Sequence, residues 1–204
     1  SYSNEISFTN NIRDVDGNVY TSVTIGEQEW MVENLRTTKY ADGTSILNAT
    51  DESQWRSLSI GGWCHYNNYS QYEATYGKLY NWYAVETGKL CPTGWHVPTD
   101  GEWTVLTDYL GANGYPTVEG AALKATSGWN RGNGTDNYGF LGLPGGERNL
   151  YGYFHAIGYN GKWWSSSQST ATNAKGRHLT EHYKWVGTLD DSKTYGYSVR
   201  CLRD

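Results

Sequence analysis

The sequence is poor in plain bulky hydrophobes, with 3 Phe and 1 Met in 204 residues. No stretch of about 18 apolar residues occurs, which excludes an apolar membrane-spanning helix. Positive charge is also scarce. There are 16 Lys and Arg against 21 Asp and Glu, a net charge of −5, and the basic residues form no run. The electrostatic footprint of a nucleic-acid-binding protein is therefore missing. The first residues, Ser1-Tyr2-Ser3-Asn4, carry no signal-peptide pattern, so a mature or trimmed chain is expected, with any lipid anchor upstream.

The apolar mass comes instead from 10 Trp and 18 Tyr. These rings fill a core while their N–H or O–H bonds at its edge, and they are favoured at binding surfaces. With 25 Gly, the composition fits an extracellular, loop-rich domain.

Cys91 lies in Cys91-Pro92-Thr93-Gly94-Trp95-His96-Val97-Pro98, and Cys201 in Val199-Arg200-Cys201-Leu202-Arg203. A bridge between them would tie the middle of the chain to its end and imply an oxidising compartment. Two reduced buried thiols, or a catalytic thiol, are the alternatives.

Residues 1–13 read as an arm and 14–204 as one α+β domain. Val19 to Ile25 alternates as a strand, Gly26-Glu27 turns, and Gln28 to Val32 returns. Residues 33–75 read as irregular. Helices are predicted over Tyr76–Thr87, from Thr99 or Asp100 to Gly111, and over Val118–Lys124. The second has a Thr99/Glu102 capping box and Trp103, Leu106 and Leu110 at helical spacing. Further strands are predicted over Phe140–Leu143, Tyr151–Phe154, Gly161–Ser167, Ala174–His182, Tyr183–Leu189 and Tyr195–Leu202.

Several motifs then combine. They are Asp16-Gly17-Asn18-Val19-Tyr20, Trp30-Met31-Val32-Glu33-Asn34-Leu35, Tyr76-Gly77-Lys78-Leu79-Tyr80-Asn81-Trp82, Leu143-Pro144-Gly145-Gly146-Glu147-Arg148-Asn149, Trp163-Trp164-Ser165-Ser166-Ser167 and the two cysteine segments. Together they resemble the Fibrobacter succinogenes major paralogous domain, from Asp14 to Asp204. The resemblance implies a C-type-lectin-like, sulfatase-modifying-factor-like fold, with two to three helices around mixed, mostly antiparallel sheets. It implies a secreted or surface-bound bacterial protein, for which adhesion is the expected role. Cys64 stands without the early partner that related copies carry.

Candidate sites follow. Asp14 to Asn18 fails the calcium-loop pattern and reads as a turn feeding a strand. Gly132-Asn133-Gly134-Thr135-Asp136-Asn137 is the better calcium candidate, with Asn133, Asp136 and Asn137 as oxygen donors. A hydrogen-bonded structural loop is the competing reading. The lectin tripeptides Glu-Pro-Asn and Gln-Pro-Asp are absent. His178 and His182, four apart on a strand, would lie roughly 13 Å apart, too far to share zinc. Ser165 to Ser167 lack a nucleophile elbow.

In Ala174 to His182, Leu179 marks an inner face carrying Arg177, paired with Glu181 or another acid. The opposite face carries His178, Thr180 and His182, followed by Tyr183 and Trp185. These residues form the expected ligand surface, for a glycan or a surface protein. A non-catalytic recognition domain is the leading expectation. A structural module of a cell-envelope or fimbria-like assembly is the second. An oxidoreductase akin to the formylglycine-generating enzymes is the third, and it is disfavoured because Cys201 is already assigned to a bridge. No cofactor other than calcium is implied.

Overall fold

The computed structural model describes residues 8–204. The chain opens on β1 (Phe8–Arg13), β2 (Val19–Ile25) and β3 (Gln28–Met31). It continues through β4 (Leu47–Asn48), α1 (Glu52–Arg56), β5 (Gly62–Cys64), α2 (Glu73–Tyr76), β6 (Leu79–Tyr80), α3 (Trp82–Val85) and β7 (Trp95–His96). Helices α4 (Asp100–Ala112) and α5 (Glu119–Leu123) follow. The chain ends with β8 (Gly145–Arg148), β9 (Phe154–Ile157), β10 (Asn160–Gln168), β11 (Asn173–Thr180), β12 (Gly187–Ser192) and β13 (Leu202–Arg203).

Three sheets result, with strand orders β1-β2-β3-β13-β7, β12-β11-β10-β8-β9 and β4-β5-β6. Pairing is mostly antiparallel; β10 with β8 and β4 with β5 are parallel. The described residues therefore form a mixed α+β fold with few helices. Residues 8–13, read from sequence as part of an arm, instead form the edge strand of the first sheet. The rest of the expected arm, residues 1–7, lies outside the described residues.

The turn before β2 forms as expected. Asp14 Oδ1 accepts the N–H groups of Asp16 and Asn18, at 3.0 and 2.9 Å, and Oδ2 accepts the Tyr20 hydroxyl at 2.7 Å. Helix α4 also forms as its sequence dictates. Thr99 Oγ1 accepts Glu102 N–H, and Glu102 Oε2 accepts Thr99 N–H at 2.7 Å. Trp103, Leu106 and Leu110 are buried on one face. Trp103 packs on Trp30 with ring centroids 4.7 Å apart.

The abundance of Trp has a structural reason. Buried indoles donate to carbonyls: Trp55 to Thr194 at 2.8 Å, Trp82 to Ser165 at 2.8 Å and Trp164 to Tyr80 at 2.9 Å. Each ring fills volume and adds a donor to a backbone carbonyl. Phe could do only the first.

Other expectations fail. Tyr76–Thr87 is not one helix. Leu79 and Tyr80 form β6 against β5, and Asn81 then caps the short α3, accepting Ala84 N–H at 3.1 Å. Residues 33–75 hold α1, capped by Asp51, and two short strands. Phe140–Leu143 makes one bridge, at Gly142, rather than a strand. Of Tyr151–Phe154, only Phe154 enters a strand, and the Tyr183–Leu189 strand starts at Gly187. Tyr195–Leu202 is not a single strand either. It forms bridges at Gly196 with Arg148, Tyr197 with Tyr80 and Ser198 with Trp163 before β13 begins.

Cys91 and Cys201 form a disulfide, with Cα atoms 6.0 Å apart. It joins the approach to β7 with the entry to β13.

Candidate ligand-binding surface

Strand β11 carries His178 and Thr180 of the expected surface, while His182, Tyr183 and Trp185 follow its end. Arg177 and Leu179 are buried on its inner face, as the alternation predicts, and Glu181 is buried just beyond the strand. The acid that pairs with Arg177 is Asp100, the first residue of α4. Arg177 Nε and Nη2 donate to Asp100 Oδ1 at 3.0 and 2.7 Å, and Nη2 also reaches Thr104 Oγ1 at 3.0 Å. Glu181 instead meets His182 Nε2 at 3.1 Å, while its Oε2 is buried without a partner among the described residues.

The strand stops at Thr180. Thr180 Oγ1 accepts Tyr183 N–H at 3.1 Å, closing a tight turn. Lys124, at the end of α5, locks this turn from below. Its Nζ donates to the carbonyls of Thr180 and Tyr183 at 2.9 and 3.0 Å, and lies 5.2 Å from the Trp129 ring centre. Burial lowers the pKa of this ammonium, with Lys184 adding to the effect. Ala121 N–H donates to Lys184 O at 2.9 Å. Gly120 allows this approach, because a Cβ there would sit 2.6 Å from Trp185 O. Nothing in the sequence of Val118–Lys124 marks the lysine as buried, so sequence reasoning misses it.

On the outer side of the turn, the rings of Tyr183 and Trp185 stack at 4.2 Å with planes 25° apart. His182 approaches Tyr183 edge-on at 6.5 Å. Tyr183 and Trp185 remain 48% and 46% exposed, so half of each ring is free for a ligand. The expected five-residue surface is therefore divided. His182, Tyr183 and Trp185 are exposed, Thr180 serves the turn, and His178 is half-buried. His178 faces Gly187 across the β11–β12 pair, where a Cβ would lie 2.3 Å from its ring. Burial lowers the His178 pKa below the ordinary histidine value, Lys162 adds to the shift, and Nδ1 has no partner among the described residues.

Residues 132–137, expected either as a calcium loop or as a hydrogen-bonded structural loop, bond to protein groups. Asn133 Oδ1 accepts Trp129 N–H at 3.2 Å, Asp136 Oδ1 accepts Leu141 N–H at 2.7 Å, and Asn137 Nδ2 donates to the Tyr115 hydroxyl. Asn133, Asp136 and Asn137 thus each bond a different protein group. The loop is held by backbone bonds from Gly134 N–H to Ala125 O and from Asp136 N–H to Lys124 O. Gly132 permits close packing, since a Cβ there would meet Glu181 O at 2.2 Å. The loop thus buttresses α5 and the turn after β11.

The serines also serve structure. Ser165 Oγ donates to Lys175 O at 2.9 Å, and Ser167 Oγ accepts Asp100 N–H at 2.9 Å. Cys64 is buried, and burial pushes its thiol up to about 12.

Fold and site together define an α+β domain of mostly antiparallel sheets, closed by a disulfide and carrying an exposed aromatic pair on a braced turn. The chain belongs to the Fibrobacter succinogenes major domain family, whose sequence model matches residues 23–203. No curated protein and no solved structure matches it.

Proposed function

We propose that this protein is a non-catalytic ligand-recognition domain with a C-type-lectin-like fold, presented outside the cell or on the outer surface of a bacterium, and that it binds glycans. The stacked, half-exposed pair Tyr183 and Trp185 carries the reading. An aromatic face offers apolar area at low entropy cost to the C–H face of a sugar ring, while His182 supplies a polar edge. The bracing by Lys124 and Gly120 holds the platform in place before binding, which lowers the ordering cost of association.

A glycan array probed with the purified domain tests this. Binding to at least one glycan class is expected, with loss in the Tyr183→Ala/Trp185→Ala double variant, which stays folded with a stability loss of about 1–2 kcal/mol from the lost ring stacking. Chelator is expected to leave binding unchanged, because ring stacking on Tyr183 and Trp185 requires no cation. Full binding by the double variant would refute this site.

A protein partner in a surface assembly is the second reading. Tyr151, Tyr153 and Tyr159, all at least half exposed, favour it, because exposed Tyr is typical of protein-recognition surfaces. Capture of a specific surface protein, with no glycan bound, would select it.

A further inference from the structure

Arg200 is 1% exposed, yet its guanidinium meets only neutral acceptors. Nη1 donates to Phe140 O, and Nη2 donates to Asn34 Oδ1 at 2.9 Å and more weakly to Leu141 O. Among the described residues no carboxylate is in ion-pair contact with it, and Nε has no partner. The charge lies 4.2 Å from the Phe140 ring centre and 5.5 Å from that of Trp163. Arg148 provides the contrast. It is also fully buried, but its Nε, Nη1 and Nη2 donate to the carbonyls of Gly152, Ala49 and Thr50. Arg148 bonds through all three nitrogens, whereas Arg200 leaves Nε without an acceptor among the described residues and is reached by the charges of Glu33 and Asp136 only through space, a costly state in a protein interior.

Arg200 also lines a cleft of about 250 Å³. Val32, Leu141 and Leu143 give it apolar walls, and Ala74, exposed on α2, lies at its rim. Leu141 is held at φ 53° by Asp136 and remains 36% exposed, so an apolar side chain is kept beside the cleft in a backbone region that it ordinarily avoids. The remaining charged group of the cleft is Glu33. Its carboxylate is oriented by Thr21, through N–H at 2.8 Å and Oγ1 at 3.0 Å, and it keeps further acceptor capacity.

One cleft thus presents a cation, an anion and an aliphatic wall. We propose that it binds a free α-amino acid with an aliphatic side chain, its carboxylate on Arg200, its ammonium on Glu33 and its side chain against Val32, Leu141 and Leu143. This site is separate from the aromatic surface and does not depend on glycan binding. The carboxylate supplies the contacting anion and the acceptor that Arg200 lacks, and the ammonium neutralises the charge of Glu33. A simple anion would leave Glu33 repelling it.

The test is calorimetric titration of the intact domain with L-leucine, leucinamide and N-acetyl-leucine. Leucine is expected to bind and raise the melting temperature. Leucinamide, lacking the carboxylate, and N-acetyl-leucine, lacking the ammonium, are each expected to bind about tenfold more weakly or less. Ala74→Phe fills the cleft from its exposed rim and is expected to abolish binding while leaving the melting curve of the free protein nearly unchanged. Glu33→Gln is expected to weaken leucine but not N-acetyl-leucine. No heat with leucine, valine or norvaline would overturn the proposal. So would binding indifferent to Ala74→Phe, or tighter binding of a leucine-terminated peptide than of the free amino acid.

Discussion

Lys124 illustrates how a single residue controls this surface. Its ammonium is buried and bonded to two carbonyls, with no carboxylate in ion-pair contact among the described residues. Lys124→Met keeps the stem but strips the donors from the Thr180 and Tyr183 carbonyls. A loss of about 1–3 kcal/mol is expected in chemical denaturation, together with weakened ligand binding even though Lys124 is not on the outer surface. His178 gives a second residue-level prediction. Burial holds its pKa below the ordinary value of 6.5. Below that pH the unfolded chain takes up a proton that the native ring still resists. The unfolded state then binds more protons, so stability falls as pH drops through about 6.5, until the native ring itself charges. NMR titration is expected to give a native pKa below 6.5, and His178→Phe to reduce the acid sensitivity of the melt.

At the scale of elements, the joint between α4 and β11 matters most. Asp100 begins α4 and holds Arg177 through Nε and Nη2, while Lys175 approaches its other oxygen at 3.4 Å. Asp100→Ala leaves a buried guanidinium without its anion, at a cost of about 3–5 kcal/mol in denaturant titration. Thr99→Ala, which removes only the cap, is expected to cost about 1 kcal/mol. The gap between the two variants would separate the ion pair from the cap. Helix α4 was legible in the sequence because its cap, its acidic first turn and its apolar spacing agree. Tyr76–Thr87 was misread for the opposite reason. Leu79, Trp82, Tyr83 and Val85 mimic helical spacing, but Leu79 and Tyr80 are buried by pairing with β5, and Asn81 restarts the chain as a cap. Arg177 was legible as buried and paired, since Leu179 fixed the inner face. Asp100 was not singled out as its partner, because 77 residues separate the two. The exposed aromatics were legible by type, but the bend at Thr180 was not, and the alternation was carried past the true end of the strand.

Across the whole molecule, the cysteines divide into two states. Cys91 and Cys201 are bridged over a separation of 110 residues, and Cys64 is buried and free. The native protein is expected to resist thiol reagents. Unfolding without reductant should release one reactive thiol, and unfolding with reductant should release all 3. Reducing the bridge is expected to lower stability by about 4–5 kcal/mol, read as a shift in the urea midpoint.

The segment from Gly196 to Arg203 touches all three sheets in succession. It bridges to Tyr80, Arg148 and Trp163, and then inserts β13 between β3 and β7. During synthesis, β2 and β3 emerge early, yet their sheet lacks its fourth strand until residue 203 has left the ribosome or translocon. Until then these strands expose an open edge and unburied indoles, and such long-range closure is intrinsically slow. Closure of this sheet therefore waits on β13.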